Sequence, residues 1–303
     1  MLSCWRGRLR CATFYSLASG WRRVVPCGRP KRRAESAPSQ GVDIPAARAA
    51  GVRVANIPSI NTGNAAACAE FALFLILSLL RDMHGMATAF AQRRLGAPTG
   101  RLLAGRSALL VGFGAIGRET ARRLSALGVH VSASRAGGWP ASGGDAAADA
   151  DAALLRERGS GAADLYRMLG EADIVVLTCT LHAGTRGLVN GPFLAAMRPG
   201  AILINVARGG LLDYDAVRSA LESGMLGGLG TDVAWSEPWD PADAVAKHPR
   251  CIMTPHVAGV TDVSYITMAR IVAEEARRLA DGRPSGPDVA VFSELSRAAF
   301  GVS

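Results

Sequence analysis

Three glycines follow a short apolar run near the middle of the chain. Residues 108–111 have the continuous apolar character of a parallel strand that is buried on both faces. Gly112, Gly114 and Gly117 come directly after it in the order G-x-G-x-x-G. The first glycine of such a run permits a tight turn, the second lets a phosphate group approach the backbone, and the third lets the next helix pack closely on the strand.

The residues after the glycines complete the pattern. Apolar residues spaced as on one face of a helix lead to Gly128, a residue suited to end a helix, and residues 129–133 form a second apolar strand. A strand, a glycine turn, a helix and a strand in this order are typical of a dinucleotide-binding unit, in which the helix N-terminus faces the phosphates. A glycine-rich turn without a ligand is the weaker interpretation, because it does not account for the flanking elements.

The rest of the chain alternates helical patterns with apolar strands, which predicts an α/β protein with a doubly wound parallel sheet of the Rossmann type. The predicted helices span residues 45–50, 64–83, 162–169, 192–197, 215–223 and 262–280. The other predicted strands span residues 52–56, 174–178, 201–205, 229–233 and 251–254. Residues 136–161, rich in Gly, Ala and Asp, are predicted to form a flexible surface loop without a function.

Two of the predicted helices carry further expectations. The helix over residues 64–83 is apolar on nearly every side, which predicts burial against a sheet or in a homodimer. Residues 65–80 are too few to cross a bilayer comfortably, which needs about 20, so no membrane partner is expected. The last helix is predicted to pack through a face formed by Ile266, Ala269, Val272, Ala276 and Leu279.

Positive charge is concentrated at the start of the chain. The net charge is +9, but residues 1–40 hold nine Lys and Arg and one acid, and the rest holds 25 basic and 24 acidic residues. The nearly neutral body makes a nucleic-acid partner unexpected. Residues 1–39 are interpreted as a basic leader and possible transit peptide to a chloroplast or mitochondrion; a disordered arm and a wrongly joined start are the alternatives. Without a transit peptide, a cytoplasmic protein is expected.

Cysteine and histidine spacing gives no indication of a metal. The six cysteines are scattered, and no C-x-x-C pair or paired histidine spacing accompanies them. No metal site is therefore predicted.

Three polar residues follow predicted strands, where open parallel sheets bind their ligands. Arg208 follows residues 201–205, Glu237 comes after residues 229–233, and His256 follows residues 251–254. A guanidinium binds a carboxylate through two hydrogen bonds, an imidazole exchanges a proton near neutral pH, and a carboxylate favours the protonated imidazole. Together they suit oxidation of a hydroxyl next to a carboxylate. Singly, each has a structural alternative: a surface ion pair, a turn and a packed histidine.

Residues 41–284 resemble the D-isomer-specific 2-hydroxyacid dehydrogenases, the family of phosphoglycerate dehydrogenase, hydroxypyruvate reductase and glyoxylate reductase, and in particular a plant and algal branch. The matching runs are PSINTGNAAACAE at 58–70, GGLGTDVAWSEP at 227–238 and TPHVAGVT at 254–261. The resemblance implies an NAD(P)-dependent oxidoreductase that reduces a small 2-oxo acid such as hydroxypyruvate, glyoxylate or 3-phosphohydroxypyruvate, or runs the reverse reaction, as a homodimer.

The resemblance also assigns roles to residues. It implies that Arg208 binds the substrate, that His256 is the acid and base, and that Glu237 pairs with His256. To the three glycines of the motif it adds implied cofactor contacts at Ala115, Ile116, Val206, Ala207, Arg208, Asp232, His256, Ala258 and Gly259. Asp232 would lie at the carboxamide end of the cofactor.

The predicted domains are the leader over residues 1–39, an NAD(P)-binding domain over 83–258, and a partial, flavodoxin-like substrate domain formed by 40–82 and 259–303. Family members carry further strands and helices of the substrate domain before the position of Gly41, and a glycine loop of which only residues 40–43 match here. Two alternatives to an active enzyme stay open. One is a nucleotide-sensing interaction protein of the same fold without turnover, and the other is an incomplete product that does not fold stably.

Arg135 bears on the choice of cofactor. Seventeen residues, 118–134, separate it from Gly117, which puts it at the end of the second strand, beside the adenosine ribose of a dinucleotide. An acid there would bind both ribose hydroxyls, whereas Arg135, with Ser132 and Ser134 nearby, favours a 2′-phosphate. NADP is therefore predicted over NAD. The alternative is that Arg135 points into solvent.

Overall fold

A computed structural model of the chain describes residues 13–15, 44–49, 54–57, 59, 62–139, 146–286 and 290–291. The strands are β1 Thr13–Tyr15, β2 Val54–Asn56, β3 Ser107–Val111, β4 His130–Arg135, β5 Glu157–Ser160, β6 Ile174–Leu177, β7 Ala201–Asn205, β8 Leu226–Thr231, β9 Cys251–Met253 and β10 Ala290–Val291. The helices are α1 Ile44–Ala49, α2 Asn64–Leu80, α3 Met83–Ala91, α4 Ala115–Ala126, α5 Ala146–Ala153, α6 Gly161–Leu169, α7 Gly191–Ala196, α8 Tyr214–Glu222 and α9 Asp262–Ala280.

The chain forms two compact units, one made of Met1–Asn64 with Val260–Ser303 and the other of Ala65–Gly259. In the first, β2 lies between β1, which is parallel to it, and β10, which is antiparallel. Strand β1 falls within the predicted leader, most of which lies outside the described residues. Residues 40–43, which match the end of the family's substrate-binding glycine loop, also lie outside the described residues.

The larger unit contains a seven-stranded parallel sheet in the order β5-β4-β3-β6-β7-β8-β9. The chain runs outward from β3 to β5, returns to β6 on the other side of β3, and continues outward to β9. This confirms the predicted doubly wound α/β fold. The reversal between β3 and β6 opens a crevice at the carboxyl ends of these two strands, where such sheets bind ligands.

Alternate residues of each central strand enter two apolar layers on opposite faces of the sheet. Leu109 and Val175 join the layer that α6, α7 and α8 cover, where Phe193 is fully buried. Leu110 and Ile174 join the layer that α2 and α4 cover. Each fully buried side chain of this size contributes about 1.5–3 kcal/mol of hydrophobic free energy, so both layers stabilise the strand ends that carry the site.

Helix α2 packs within the larger unit, and its buried residues Ala72, Leu75 and Ile76 are fully enclosed. This confirms the predicted burial against a sheet, but the helix ends three residues early, at Leu80. Asp82 turns the chain in a left-handed conformation (φ 52°), and its side chain accepts a 3.0 Å hydrogen bond from the Gly85 amide at the start of α3. Among the described residues, no helix is long and apolar enough to cross a bilayer.

The prediction of a flexible loop over residues 136–161 is wrong, because this segment contains α5 and β5. Strand β5 extends the sheet, pairing Arg158 with Ala133 and Ser160 with Arg135 of β4. Helix α5 is held by the buried carboxylate of Asp151, which accepts a 2.8 Å hydrogen bond from Nη2 of Arg122 on α4. The sequence of β5 is ERGS, and a polar strand of this kind gives no apolar signal.

The predicted packing face of α9 is wrong for most of its residues, although Val272 packs partly buried on the observed cluster. Its buried residues are Ser264, Met268, Ile271 and Glu275, whereas Ile266 is 70% exposed. Met268 and Ile271 pack with Ile57 in a small apolar cluster. The two polar members of the stripe are satisfied locally: Ser264 forms a capping box with the residue before the helix, and Glu275 accepts a 2.8 Å hydrogen bond from a backbone amide six residues beyond the helix.

Candidate active site

The predicted site residues follow five strands of the parallel sheet, at its carboxyl edge. The glycine turn follows β3, Arg135 ends β4, and the remaining predicted residues lie in the loops after β7, β8 and β9. Because the strands are parallel, all of these loops open on the same edge of the larger unit.

The glycine turn is fixed by the loop that follows β6. Gly112 has a positive φ of 101°, and a Cβ atom on it would lie 2.7 Å from the backbone nitrogen of Cys179. Thr178 donates a 2.8 Å hydrogen bond from Oγ1 to the carbonyl of Gly112. A Cβ atom on Gly117 would lie 2.8 Å from the same carbonyl, so α4 packs directly against the turn. Only glycine fits at these two positions without moving backbone.

The N-terminus of α4 suits a pyrophosphate group. Gly114 is the N-cap and provides no side-chain cap, and a Cβ atom on it would meet nothing within 4 Å. The first turn, with the half-buried Ala115 and Ile116, therefore presents its backbone to open space. Backbone N–H groups and the positive end of the helix dipole favour an anion at such a position. The residues present thus fit a dinucleotide cofactor.

Arg208 is held by the buried amide of Asn205 at the end of β7. The Asn205 Nδ2 donates a 2.9 Å hydrogen bond to the Arg208 carbonyl, and its Oδ1 accepts a 3.0 Å hydrogen bond from the Ala207 amide. Burial lowers the pKa of Arg208 from its ordinary value, and the negative charge of Glu237 partly opposes this. An arginine side chain keeps its charge in proteins, and in a half-buried environment this charge attracts an anion more strongly than in water.

Glu237 and His256 form a hydrogen-bonded pair. The Nδ1 atom of His256 lies 3.0 Å and 2.9 Å from the two carboxylate oxygens of Glu237. Burial would raise the pKa of Glu237, but the hydrogen bond and charge of His256, the Ala234 amide and the charge of Arg208 outweigh it and lower that pKa. Glu237 is therefore ionised at neutral pH, and the ring Nε2 of His256 is the nitrogen left for a substrate.

Asp232 fixes the loop that carries His256. Its buried carboxylate accepts hydrogen bonds from the Thr254 hydroxyl (2.7 Å), the Val257 amide (2.8 Å) and the Ala258 amide (2.7 Å). These bonds enclose His256, whose φ of 58° lies in the left-handed region. A side chain in this conformation needs surrounding bonds to hold it, and Asp232 provides them.

The sequence motifs did not indicate the residues that support the site. Asn205 and Thr178 donate hydrogen bonds to backbone carbonyls, and Thr254 donates one to the Asp232 carboxylate. No spacing pattern in the sequence reveals such contacts. Cys68 on α2 is buried, and burial raises the pKa of its thiol to about 12. The negative charge of Asp232 also raises this pKa, and the positive charge of Arg208 acts in the opposite direction. The thiol is therefore protonated and lies within the electrostatic reach of the site.

Arg135 ends β4, as its position in the sequence predicted. Its Cζ atom lies 5.6 Å from the centre of the Trp139 ring, which is within the range of a cation–π contact, and the residue is half-buried. The carbonyl of the preceding Ser134 accepts a 2.9 Å hydrogen bond from the Gly112 amide. The end of β4 and the glycine turn are thus joined directly.

Known proteins are similar to this chain. Residues 73–258 match the family model described as D-isomer specific 2-hydroxyacid dehydrogenase, NAD binding domain. The (S)-sulfolactate dehydrogenase of Chromohalobacter salexigens is 35% identical over 253 residues, which cover 78% of this chain and 73% of that protein. The chloroplastic D-3-phosphoglycerate dehydrogenase 2 of Arabidopsis thaliana is 32% identical over 267 residues, which cover 84% of this chain and 40% of that protein.

A solved structure gives the same result. A glyoxylate reductase from Paecilomyes thermophila is 29% identical, with a TM-score of 0.65, and the match covers 78% of this chain and 68% of that one. The chain spans well under half the length of the phosphoglycerate dehydrogenase. The family match contains the glycine turn and all three of Arg208, Glu237 and His256, and the chain belongs to the D-isomer specific 2-hydroxyacid dehydrogenase family.

Proposed function

We propose that the protein reduces a small 2-oxo acid to a D-2-hydroxy acid with NAD(P)H, or catalyses the reverse oxidation. The observation that carries the proposal is the pairing of His256 with Glu237 beside Arg208, at the sheet edge where α4 presents an open anion site. Each group fits one requirement of the reaction. When bound, the nicotinamide ring of the cofactor supplies or accepts the hydride.

The three side chains divide the remaining work. The guanidinium of Arg208 binds the substrate carboxylate and polarises the neighbouring carbonyl. The Nε2 atom of His256 gives a proton to the carbonyl oxygen during reduction and takes it back during oxidation. Glu237 orients the ring through Nδ1 and stabilises the imidazolium.

The test is a spectrophotometric scan of NADPH and NADH oxidation with hydroxypyruvate, glyoxylate, pyruvate, 3-phosphohydroxypyruvate and 3-sulfopyruvate. The last two are included because relatives are named for phosphoglycerate and sulfolactate. We expect turnover of at least one 2-oxo acid. If the protein binds the cofactor but oxidises it with none of the five acids, the proposed activity is contradicted.

Arg208→Lys should lose most activity while keeping its fold and cofactor affinity, because an ammonium group does not reproduce a two-pronged contact with a carboxylate. We expect kcat/KM to fall by at least tenfold, or about 1.4 kcal/mol of transition-state stabilisation. Arg218→Lys, on the exposed surface of α8, is the matched control and should keep wild-type kinetics. A value within about threefold of wild type for Arg208→Lys would contradict the assigned role.

Glu237→Gln should shift the pH dependence of reduction to lower pH. Because the pKa of Glu237 is lowered, its carboxylate is ionised at neutral pH. The negative charge that it places beside His256 is lost only when the pH falls through that lowered pKa. Replacing the charge with an amide removes the stabilisation of the imidazolium, and the loss of activity on the alkaline side should begin at lower pH. His256→Asn should depress turnover at every pH. The same alkaline limb in wild type and Glu237→Gln would rule out the pairing as the source of the effect.

We further propose that the cofactor is preferentially NADP(H), on the basis of Arg135. A charge-assisted hydrogen bond to the 2′-phosphate contributes roughly 1.5–3 kcal/mol, which corresponds to about a ten- to hundredfold preference. Dissociation constants of both cofactors are to be measured by calorimetry in wild type and in Arg135→Asp, and the variant should shift toward NAD(H). Equal affinities in wild type, or no shift in the variant, would show that Arg135 does not read the phosphate.

A homodimer is proposed from the apolar residues exposed on α2, on α3 and in the segment before β3. These are Phe74, Leu77, Met83, Met86, Phe90, Leu95 and Leu102, of which Phe90 is 89% exposed. Exposed apolar residues in such numbers are typical of a subunit interface. Light scattering at micromolar concentration should give twice the chain mass, and Phe90→Glu should give a monomer. A monomeric wild-type mass would contradict the dimer.

Residues 1–39 are proposed to direct the protein to an organelle. Their basic, acid-poor composition supports this, as does the chloroplastic relative. Fused to a fluorescent protein, the segment should carry it into chloroplasts or mitochondria of plant cells. A diffuse cytoplasmic signal would contradict the targeting role.

A further inference from the structure

Two arginines flank one tryptophan at the outer edge of the large sheet. The Cζ atoms of Arg135 and Arg158 each lie 5.6 Å from the centre of the Trp139 ring. Arg158 pairs with Ala133, two residues before Arg135, so both arginines extend from the same face of the sheet. Their guanidinium groups are therefore at most about 11 Å apart, twice the distance to the shared ring.

Trp139 is held in place on both sides. Its ring packs on Phe113, the residue between the first two glycines of the turn, at a centroid distance of 5.3 Å. Its Nε1 atom donates a 3.0 Å hydrogen bond to the carbonyl of Gly159 on β5. The indole thus links the glycine turn to β5, and it fixes the two guanidinium groups relative to the turn.

The two arginines have no acidic partner among residues 62–139 and 146–286. The acids of β5 and α6 nearest in sequence, Glu157 and Asp164, both pair with Arg167 instead. Two like charges beside one ring repel each other, and no carboxylate in the described part of the chain offsets this. A doubly charged anion between them would convert the repulsion into attraction. Because the described part of the chain provides no such anion, we expect a ligand to provide it.

We propose that Arg158 and Arg135 together bind the 2′-phosphate monoester of NADP(H), and that Trp139 is the residue that positions both guanidinium groups. The proposal rests on the proposed preference for NADP(H) and adds a second cation to it. Arg135 lies at the end of β4, where the adenosine ribose binds in this type of sheet. Arg158 lies on β5, level with the residue two before Arg135, and its guanidinium is against the same Trp139 ring. Two guanidinium groups provide enough donors for the three phosphate oxygens.

The first test measures binding by the full-length protein and needs no turnover. Calorimetry gives dissociation constants for NADPH, NADH, adenosine 2′,5′-bisphosphate and adenosine 5′-monophosphate. Arg158→Gln should weaken NADPH and the bisphosphate about tenfold and leave NADH and the monophosphate within about twofold. Arg218→Gln removes the same charge on α8, which connects β7 to β8 on the other side of β3, and should change none of the four constants.

The outcomes separate this proposal from the one it rests on. If wild type binds the phosphorylated and unphosphorylated ligand of each pair equally, both proposals fail. If Arg135→Asp lowers the preference but Arg158→Gln changes nothing, or weakens all four ligands alike, the second cation is refuted and the role of Arg135 stands.

The positioning role of Trp139 has its own readout. Trp139→Phe keeps an aromatic face and should retain most of the preference for the 2′-phosphate, whereas Trp139→Leu should lose it without weakening NADH. In a Trp139→Leu background, Arg158→Gln should then have less than half of its effect on the affinity for NADPH. An undiminished effect in that background would overturn the positioning role, and the Arg158→Gln result decides the phosphate site whether or not the leucine variant folds.

Discussion

The buried carboxylate of Asp232 is the contact on which the carboxyl edge of the sheet depends. It lies at the end of β8, and its three hydrogen bonds fasten the loop after β9, while its own amide donates a 3.0 Å hydrogen bond to Asn205 at the end of β7. Asn205 in turn holds the backbone around Arg208. A chain of buried polar contacts therefore runs from Arg208 to the loop that carries His256. Such networks stabilise one geometry only when every member is satisfied, and here each is.

This network also explains how a histidine is kept at a positive φ. The left-handed conformation costs free energy, on the order of 1 kcal/mol or more for a residue other than glycine. The carboxylate of Asp232 bonds the two amides that follow His256, so relaxation of the backbone would break hydrogen bonds at a buried charge. The ring is then free to adjust only about its side-chain torsions, and Glu237 fixes those. Positioning in this site comes from backbone bonds first and from the side-chain pair second.

Much of the fold could be predicted because its signals are local. The strand over 201–205 and the helix over 262–280 have the predicted limits, and Gly128 takes the positive φ expected just after α4. The failures arise where tertiary contacts override local pattern. Strand β5 has no apolar run and is stabilised by pairing with β4, and α9 buries Ser264 and Glu275 because neighbouring groups satisfy them. For the site, the positions of strand ends indicated Arg208, Glu237 and His256. The hydrogen bonds that Asn205 and Asp232 accept from backbone amides could not be predicted, because they depend on the folded backbone and not on a sequence pattern.

The order of the strands places the residues proposed for the reaction and those proposed for the choice of cofactor on opposite sides of the sheet. Arg208, Glu237 and His256 follow β7, β8 and β9 on one wing of the sheet. Arg135 and Arg158 lie on β4 and β5 of the other wing, and Trp139 follows β4 there. Between the wings lie β3 and β6, whose side chains fill both apolar layers. Strand β5 is the sheet's outermost strand and pairs only with β4. Strands β4, β3 and β6 separate it from β7, so a substitution on β5 meets β4, α6 and Trp139 before anything on the wing of Arg208, Glu237 and His256.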